Sequence, residues 1–110
     1  ASVTGVRVGS YPDKTRLVLD LSAASKYSYD VDNNEKLLIV ELPGAAWSAD
    51  MQKAFAGNPL VKGYSAQPSN GGGTTLAVEL ARGAKVTSSA ALAPNATYGS
   101  HRIFLDIVAQ

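Results

Sequence analysis

The sequence predicts an all-β fold: two pseudo-symmetric four-stranded sheets, mostly antiparallel and packed as a β-sandwich, with one short helix near residues 49–56. Three observations carry that expectation. Three apolar residues, an acid and a further apolar residue recur four times, as "LVLDL" (17–21), "LIVEL" (38–42), "LAVEL" (76–80) and "IFLDI" (103–107). The chain also aligns with itself. "VTGVRV" (3–8) matches "VKGYSA" (61–66), "TRLVLDLS" (15–22) matches "TTLAVELA" (74–81), and "LIVEL" matches "IFLDI", at offsets of 58, 59 and 65 residues. The drift falls in "SNGGGT" (69–74) and chiefly in "APNATYGS" (93–100), as expected of loops, which tolerate insertion. Finally, apolar and polar residues alternate with the period of two that marks a half-buried strand.

At 110 residues the chain fits one domain, residues 1–110, built of two repeat halves (about 2–45 and 61–108), two copies of one supersecondary unit facing each other and joined by a short helical segment. The first half offers strands at 2–9, 15–21, 26–32 and 36–42, and the second at 61–67, 74–81, 84–89 and 101–108. Leu17, Leu19 and Leu21 point one way, Arg16, Val18 and Asp20 the other. "YPDK" (11–14) reads as a Pro-led turn and "NGGG" (70–73) as a flexible one; "DNNE" (32–35) reads as a hairpin turn because Asn tolerates positive φ. Ser48 suits a helix N-cap, Asp50 a first turn, Gly57 a C-terminal stop, and Pro59 blocks continuation. Tyr27 and Tyr29 are expected in the packing, and Trp47 is expected to plug the junction with Phe55.

The recurring acids, Asp20, Glu41, Glu79 and Asp106, fall on the strand face opposite Leu19, Val40, Val78 and Leu105, and Arg16 and Arg102 share it. Two readings follow. One is cross-strand charge pairing on a solvated face, about 0.2–1 kcal/mol per pair. The other is a polar binding surface.

Composition closes several functional classes. A net charge of +1 with no basic run gives no field for nucleic acid. No apolar run approaches the ~18–20 residues of a membrane span. No signal peptide is visible in the sequence, whose opening "ASVTGVRV" is already patterned like a strand. The absence of cysteine leaves the redox compartment unread. One histidine, His101, read as an edge-strand surface residue, does not make a zinc site, which needs several ligands converging on a point. There is no G-x-S-x-G elbow and no phosphate loop. Asp13, Asp20 and Asp30 could approach one another as a glycosidase would need, but nothing singles out a pair. No catalytic, cofactor or metal-binding residues are therefore assigned.

"VRVGSYPDKTRLVLDLS" (6–22) followed by "LLIVELPGAAW" (37–47) resembles the AMIN domain. Arg7, Gly9, Pro12, Asp13, Thr15, Arg16 and Asp20 match its first block. Leu42, Pro43 and Trp47 match its second, with Glu41 in place of the usual Asp. Residues 58–86 and 101–107 look like its continuation. The resemblance implies a non-catalytic module of the bacterial periplasm and cell envelope that binds peptidoglycan. Such modules direct zinc-dependent N-acetylmuramoyl-L-alanine amidases to the division septum for daughter-cell separation. The alternative branch is the peptidoglycan-anchoring or protein-interaction module of a type IV pilus secretin. "ELPGAAW" looks more like the amidase branch, in which zinc belongs to a catalytic domain elsewhere in the parent enzyme. Peptidoglycan, and septal or envelope proteins, are the implied partners of an expected monomer. Sugar faces suit exposed aromatic rings and stem-peptide carboxylates suit arginine forks. The binding candidates are Arg7, Tyr11, Lys14, Arg16, Tyr64 and Arg102, with Arg7 or Arg16 pairing to Asp20 as the structural alternative.

Overall fold

A computed structural model describes residues 1–110. All eight expected strands are present: β1 (Ser2–Tyr11), β2 (Lys14–Leu21), β3 (Ser28–Asp32), β4 (Leu37–Leu42), β7 (Val61–Pro68), β8 (Thr74–Leu80), β9 (Ala84–Leu92) and β10 (His101–Ala109). Two short strands, β5 (Ala46–Trp47) and β6 (Gln52–Ala54), complete two five-stranded sheets. The front sheet runs β5-β1-β2-β10-β9 and the back sheet β3-β4-β8-β7-β6. The architecture is an all-β sandwich. Every pairing is antiparallel except that of β5 with β1.

Three expectations are corrected. The sheets have five strands rather than four. The two halves of the chain do not face each other as separate units; each sheet takes two long strands from each half. Exchanging β1, β2, β10 and β9 for β7, β8, β4 and β3 turns one strand order into the other. Residues 49–56 form no helix. The Asp50 carbonyl accepts from Trp47 Nε1 and from the Tyr64 hydroxyl, both at 2.8 Å. The Met51 carbonyl accepts from Ala66 N at 2.7 Å. These carbonyls are thus bound to the indole and to β7, so the local capping pattern yields to tertiary partners.

The Val-x-Gly repeat has a structural cause. In β1 the register steps from Val3↔Leu21 to Gly5↔Asp20, and in β7 from Val61↔Leu80 to Gly63↔Glu79. Each step is a β-bulge, which spends one residue without a partner and reverses the inward–outward phase beyond it. Arg7 is thereby turned outward and Tyr64 inward. At Gly63 the residue type is forced by space: a Cβ would lie 2.4 Å from the Lys53 carbonyl oxygen of neighbouring β6.

The recurring leucines and valines answer to the core. Leu17, Leu19, Leu21, Leu38, Val40, Leu42, Leu76, Val78, Leu80, Ile103, Leu105 and Ile107 are buried between the sheets. Burial of each such side chain stabilises by about 1.5–3 kcal/mol. Trp47 and Phe55 do not plug the junction against each other alone; each packs on Tyr64, with ring centroids 5.6 and 5.9 Å away. Tyr27 packs against the core and shares a hydrogen bond with Ser89 Oγ. Tyr29, expected in the packing, is exposed because β3 is the edge of its sheet. In the β3–β4 turn, Asp32 Oδ1 accepts from the amides of Asn34 and Glu35, and the positive φ falls on Lys36 rather than an asparagine.

Candidate functional site

The outer face of the front sheet gathers the predicted basic residues. Register fixes who meets whom. Across β1, β2 and β10 the outward rows are Gly5–Asp20–Arg102, Arg7–Val18–Phe104 and Gly9–Arg16–Asp106, with Tyr11 and Lys14 paired at the hairpin end. Five of the six sequence candidates, Arg7, Tyr11, Lys14, Arg16 and Arg102, therefore share one surface. The sixth does not. Tyr64 is 3% exposed, in the interior between Trp47 and Phe55, where burial and the nearby Asp50 charge push its phenol pKa up. It has no free face for a sugar, which corrects its assignment as a stacking residue.

Two arginine forks organise the surface. Arg7 donates from Nε to Asp20 Oδ2 and from Nη2 to Oδ1, each at 2.9 Å. Arg16 donates from Nε to Asp106 Oδ1 at 2.7 Å and from Nη2 to Oδ2 at 3.0 Å. Lys14 Nζ adds a third bond to Asp106, at 3.3 Å. Arg16 was expected to take Asp20 as its alternative partner; it takes Asp106, because β10 lies on the other side of β2 from β1. The hydrogen bond from Arg16, followed by that from Lys14, holds the Asp106 carboxyl below its ordinary pKa against the opposing effect of burial. The same bond raises Arg16, and the bond to Asp20 raises Arg7.

Aromatic rings interleave with these charges. The Arg16 guanidinium lies 4.4 Å from the Phe104 ring centre and 6.0 Å from that of Tyr11. Lys14 Nζ lies 5.5 Å from the Tyr11 ring, which is half exposed. Arg102 lies 3.9 Å from the ring of Tyr98. Phe104 and Tyr98 were not among the sequence candidates. Tyr98 stands on the loop where the repeat offset jumps to 65, and that inserted length was the signal that could have found it. Beyond the hairpin a cleft of about 340 Å³, lined by Tyr11, Asp13, Lys14, Leu60, Arg82 and Val108 among others, continues from this face.

No metal chemistry is assembled: no group of three or more His, Cys, Asp or Glu side chains is placed to hold an ion. His101 begins β10, a strand flanked by β2 and β9, so it is not on an edge strand as expected. Asp30 lies on the back sheet, apart from Asp13 and Asp20. The arrangement can hold polar and ring-bearing ligands by stacking and charge-assisted hydrogen bonds.

Comparison with curated proteins finds no match. A family model does match residues 1–41, the stretch that forms β1, β2, β3 and most of β4 and supplies Arg7, Tyr11, Lys14 and Arg16 to the face: it is that of the AMIN domain, a family of non-catalytic modules that bind peptidoglycan and target proteins to the bacterial cell envelope.

Proposed function

We propose that residues 1–110 are a single AMIN domain that binds peptidoglycan with the outer face of its front sheet. The observation that carries this is the gathering of Arg7, Tyr11, Lys14, Arg16 and Arg102, with Tyr98 and Phe104, on one surface. Rings beside cations offer stacking for sugar faces and donors for amide and carboxylate groups in one patch. The module acts by binding alone. On this reading it brings a zinc-dependent N-acetylmuramoyl-L-alanine amidase to the division septum, and the zinc resides in that enzyme's catalytic domain. The "ELPGAAW" segment (41–47) supports the amidase branch over the secretin branch.

The test is co-sedimentation of the isolated domain with purified sacculi across a salt series. The domain is expected in the pellet at low salt and progressively in the supernatant as salt rises, because the Debye length falls from ~8–10 Å near physiological ionic strength to ~3 Å at 1 M. Absence from the pellet at every salt concentration would overturn the reading. So would release of soluble peptides from the sacculi, since the module is expected to cleave nothing with or without added zinc.

A further inference from the structure

Three arginines stand on the outer face of the front sheet, and two of them hold a carboxylate in the same manner. Arg7 uses Nε and Nη2 on Asp20; Arg16 uses Nε and Nη2 on Asp106. Arg102 is in register with Asp20, yet both oxygens of Asp20 are taken by Arg7. Arg102 makes no salt bridge, and its Nε is buried without a hydrogen-bond partner. A buried, unpaired donor is uncommon in a folded protein and calls for a partner.

The surroundings define which partner fits. The Arg102 guanidinium is covered by the Tyr98 ring, 3.9 Å away. The turn that carries Tyr98 is bonded to itself: Asn95 Oδ1 accepts from the amides of Thr97 and Tyr98, and Asn95 N donates to the Tyr98 carbonyl. No hydrogen bond ties Tyr98 to the sheet, so the ring can slide aside without breaking one. Arg102 also borders a recess of about 230 Å³, walled mainly by Leu21, Ala91, Leu92, Ala93 and Ile103. Leu21, Ala91 and Ile103 face the inner side of the sheet, so that recess opens at the end of the sandwich, across β10 from the outward fork, and the fork is reached from the outer face alone.

We propose that Arg102 is the carboxylate-receiving group of this face, with Tyr98 as its displaceable cover and a peptide C-terminal carboxylate as its ligand. The assignment rests on the peptidoglycan reading for the source of that peptide, its stem, but not for the chemistry of the grip. An incoming carboxylate accepts from Nε and Nη2 of Arg102 as Asp20 and Asp106 do from the other two arginines. The forks of those two are already occupied by Asp20 and Asp106, so Arg102 alone has its fork free for a carboxylate.

The experiment follows the arginine Nε–H signals of the ¹⁵N-labelled domain by NMR during titration with N-acetyl-D-alanyl-D-alanine, its C-terminal amide, and N-acetyl-glutamyl amide as a side-chain carboxylate. The free acid is expected to shift Arg102 Nε–H saturably, leaving Arg7 and Arg16 in place; the dipeptide amide shifts none of them. The glutamyl amide gives the smaller Arg102 shift, as an acidic protein surface would. Arg102→Lys keeps the charge but loses the fork; it should abolish the acid-induced shifts of the backbone amides around Tyr98 and Arg102, leave the melting temperature within about 2 °C, a change typical of surface substitutions, and cut retention on sacculi about 3–10-fold, the loss of one charge-assisted contact. Tyr98→Ala should bind the acid at least as tightly as the parent domain. Equal shifts from acid and amide, larger shifts from the glutamyl amide, or shifts at Arg7 or Arg16 instead of Arg102 would overturn the proposal. Retention on sacculi unchanged in Arg102→Lys, with no shift of Arg102 Nε–H in the parent domain on adding the acid, overturns this proposal and leaves the peptidoglycan reading standing. Binding of the acid at Arg102 by a domain that sacculi do not retain does the reverse.

Discussion

Where the front sheet sets Arg16 against Asp106, the back sheet sets Thr75 against Glu41, and the Thr75 hydroxyl donates to Glu41 Oε2 at 2.8 Å. The correspondence continues row by row. Asp20 opposes Gly5 and Arg102 in front; Glu79 opposes Gly63 and Leu37 behind. Arg7, Val18 and Phe104 become Ser65, Ala77 and Ile39. The acids are kept on both sheets, while the arginines and the ring give way to small, hydroxyl or aliphatic residues. On the proposed reading, an acid shared by both faces belongs to the construction of the unit, and the cations and rings of the front rows belong to binding. The proposed division between structural and binding residues rests on this difference, and several substitutions test it.

The largest effect is expected at Asp106. Its side chain is only 5% exposed and accepts from Arg16 and Lys14. Removing one partner of a fully buried ion pair costs about 3–5 kcal/mol; with Arg16 partly solvated, Asp106→Ala should cost about 2–3 kcal/mol by denaturant unfolding. Glu41→Ala, which removes one hydrogen bond from Thr75, should cost about 1 kcal/mol or less. Equal losses would mean that the front face carries no more internal structure than the back.

The two bulges provide the next contrast. A Cβ at Gly63 would meet the Lys53 carbonyl oxygen at 2.4 Å, whereas at Gly5 its nearest neighbour would be Asp20 Oδ2 at 3.5 Å. Gly63→Ala should therefore destabilise by about 1–3 kcal/mol, the usual cost of overpacking, and Gly5→Ala by no more than about 0.5 kcal/mol, as for a surface change. Thermal melts of the two variants compare them directly.

Acid titration should give a smaller signal. The folded-state pKa of Asp106 lies below its unfolded value, so its contribution is present above the unfolded pKa, about 3.9, and is lost as pH falls through the lower folded pKa. Stability should fall on acidification below about pH 4, and Asp106→Asn should flatten that fall. A slope unchanged in the variant would remove Asp106 as its source.

Much of this division was legible in the sequence. Every long strand was, because alternation and the four-fold acid pattern both report burial on one side. The basic residues were legible one by one, but not their meeting: Arg102 joins Arg7 and Arg16 because β10 of the second half lies beside β2 of the first, a crossing the repeat alone does not predict. Two kinds of error remained. At 49–56 the signals were local, and distant groups, the Trp47 indole, the Tyr64 hydroxyl and β7, took the carbonyls a helix would have used. At Tyr64 simple alternation from Val61 points the ring outward, but the bulge reverses the phase. Bulges are hard to see in one copy of a sequence; the paired Val-x-Gly was their trace. Tyr98 escaped because loop residues have no periodicity that fixes where they land.

Mapping amide shifts of the ¹⁵N-labelled domain as soluble peptidoglycan fragments are added tests whether the front face binds and the back face does not. Shifts are expected to concentrate on β1, β2, β10 and the loop bearing Tyr98, around Arg7, Arg16, Arg102 and Phe104. Shifts centred instead on Ser65, Thr75, Ile39 and Leu37 of the back sheet would contradict it.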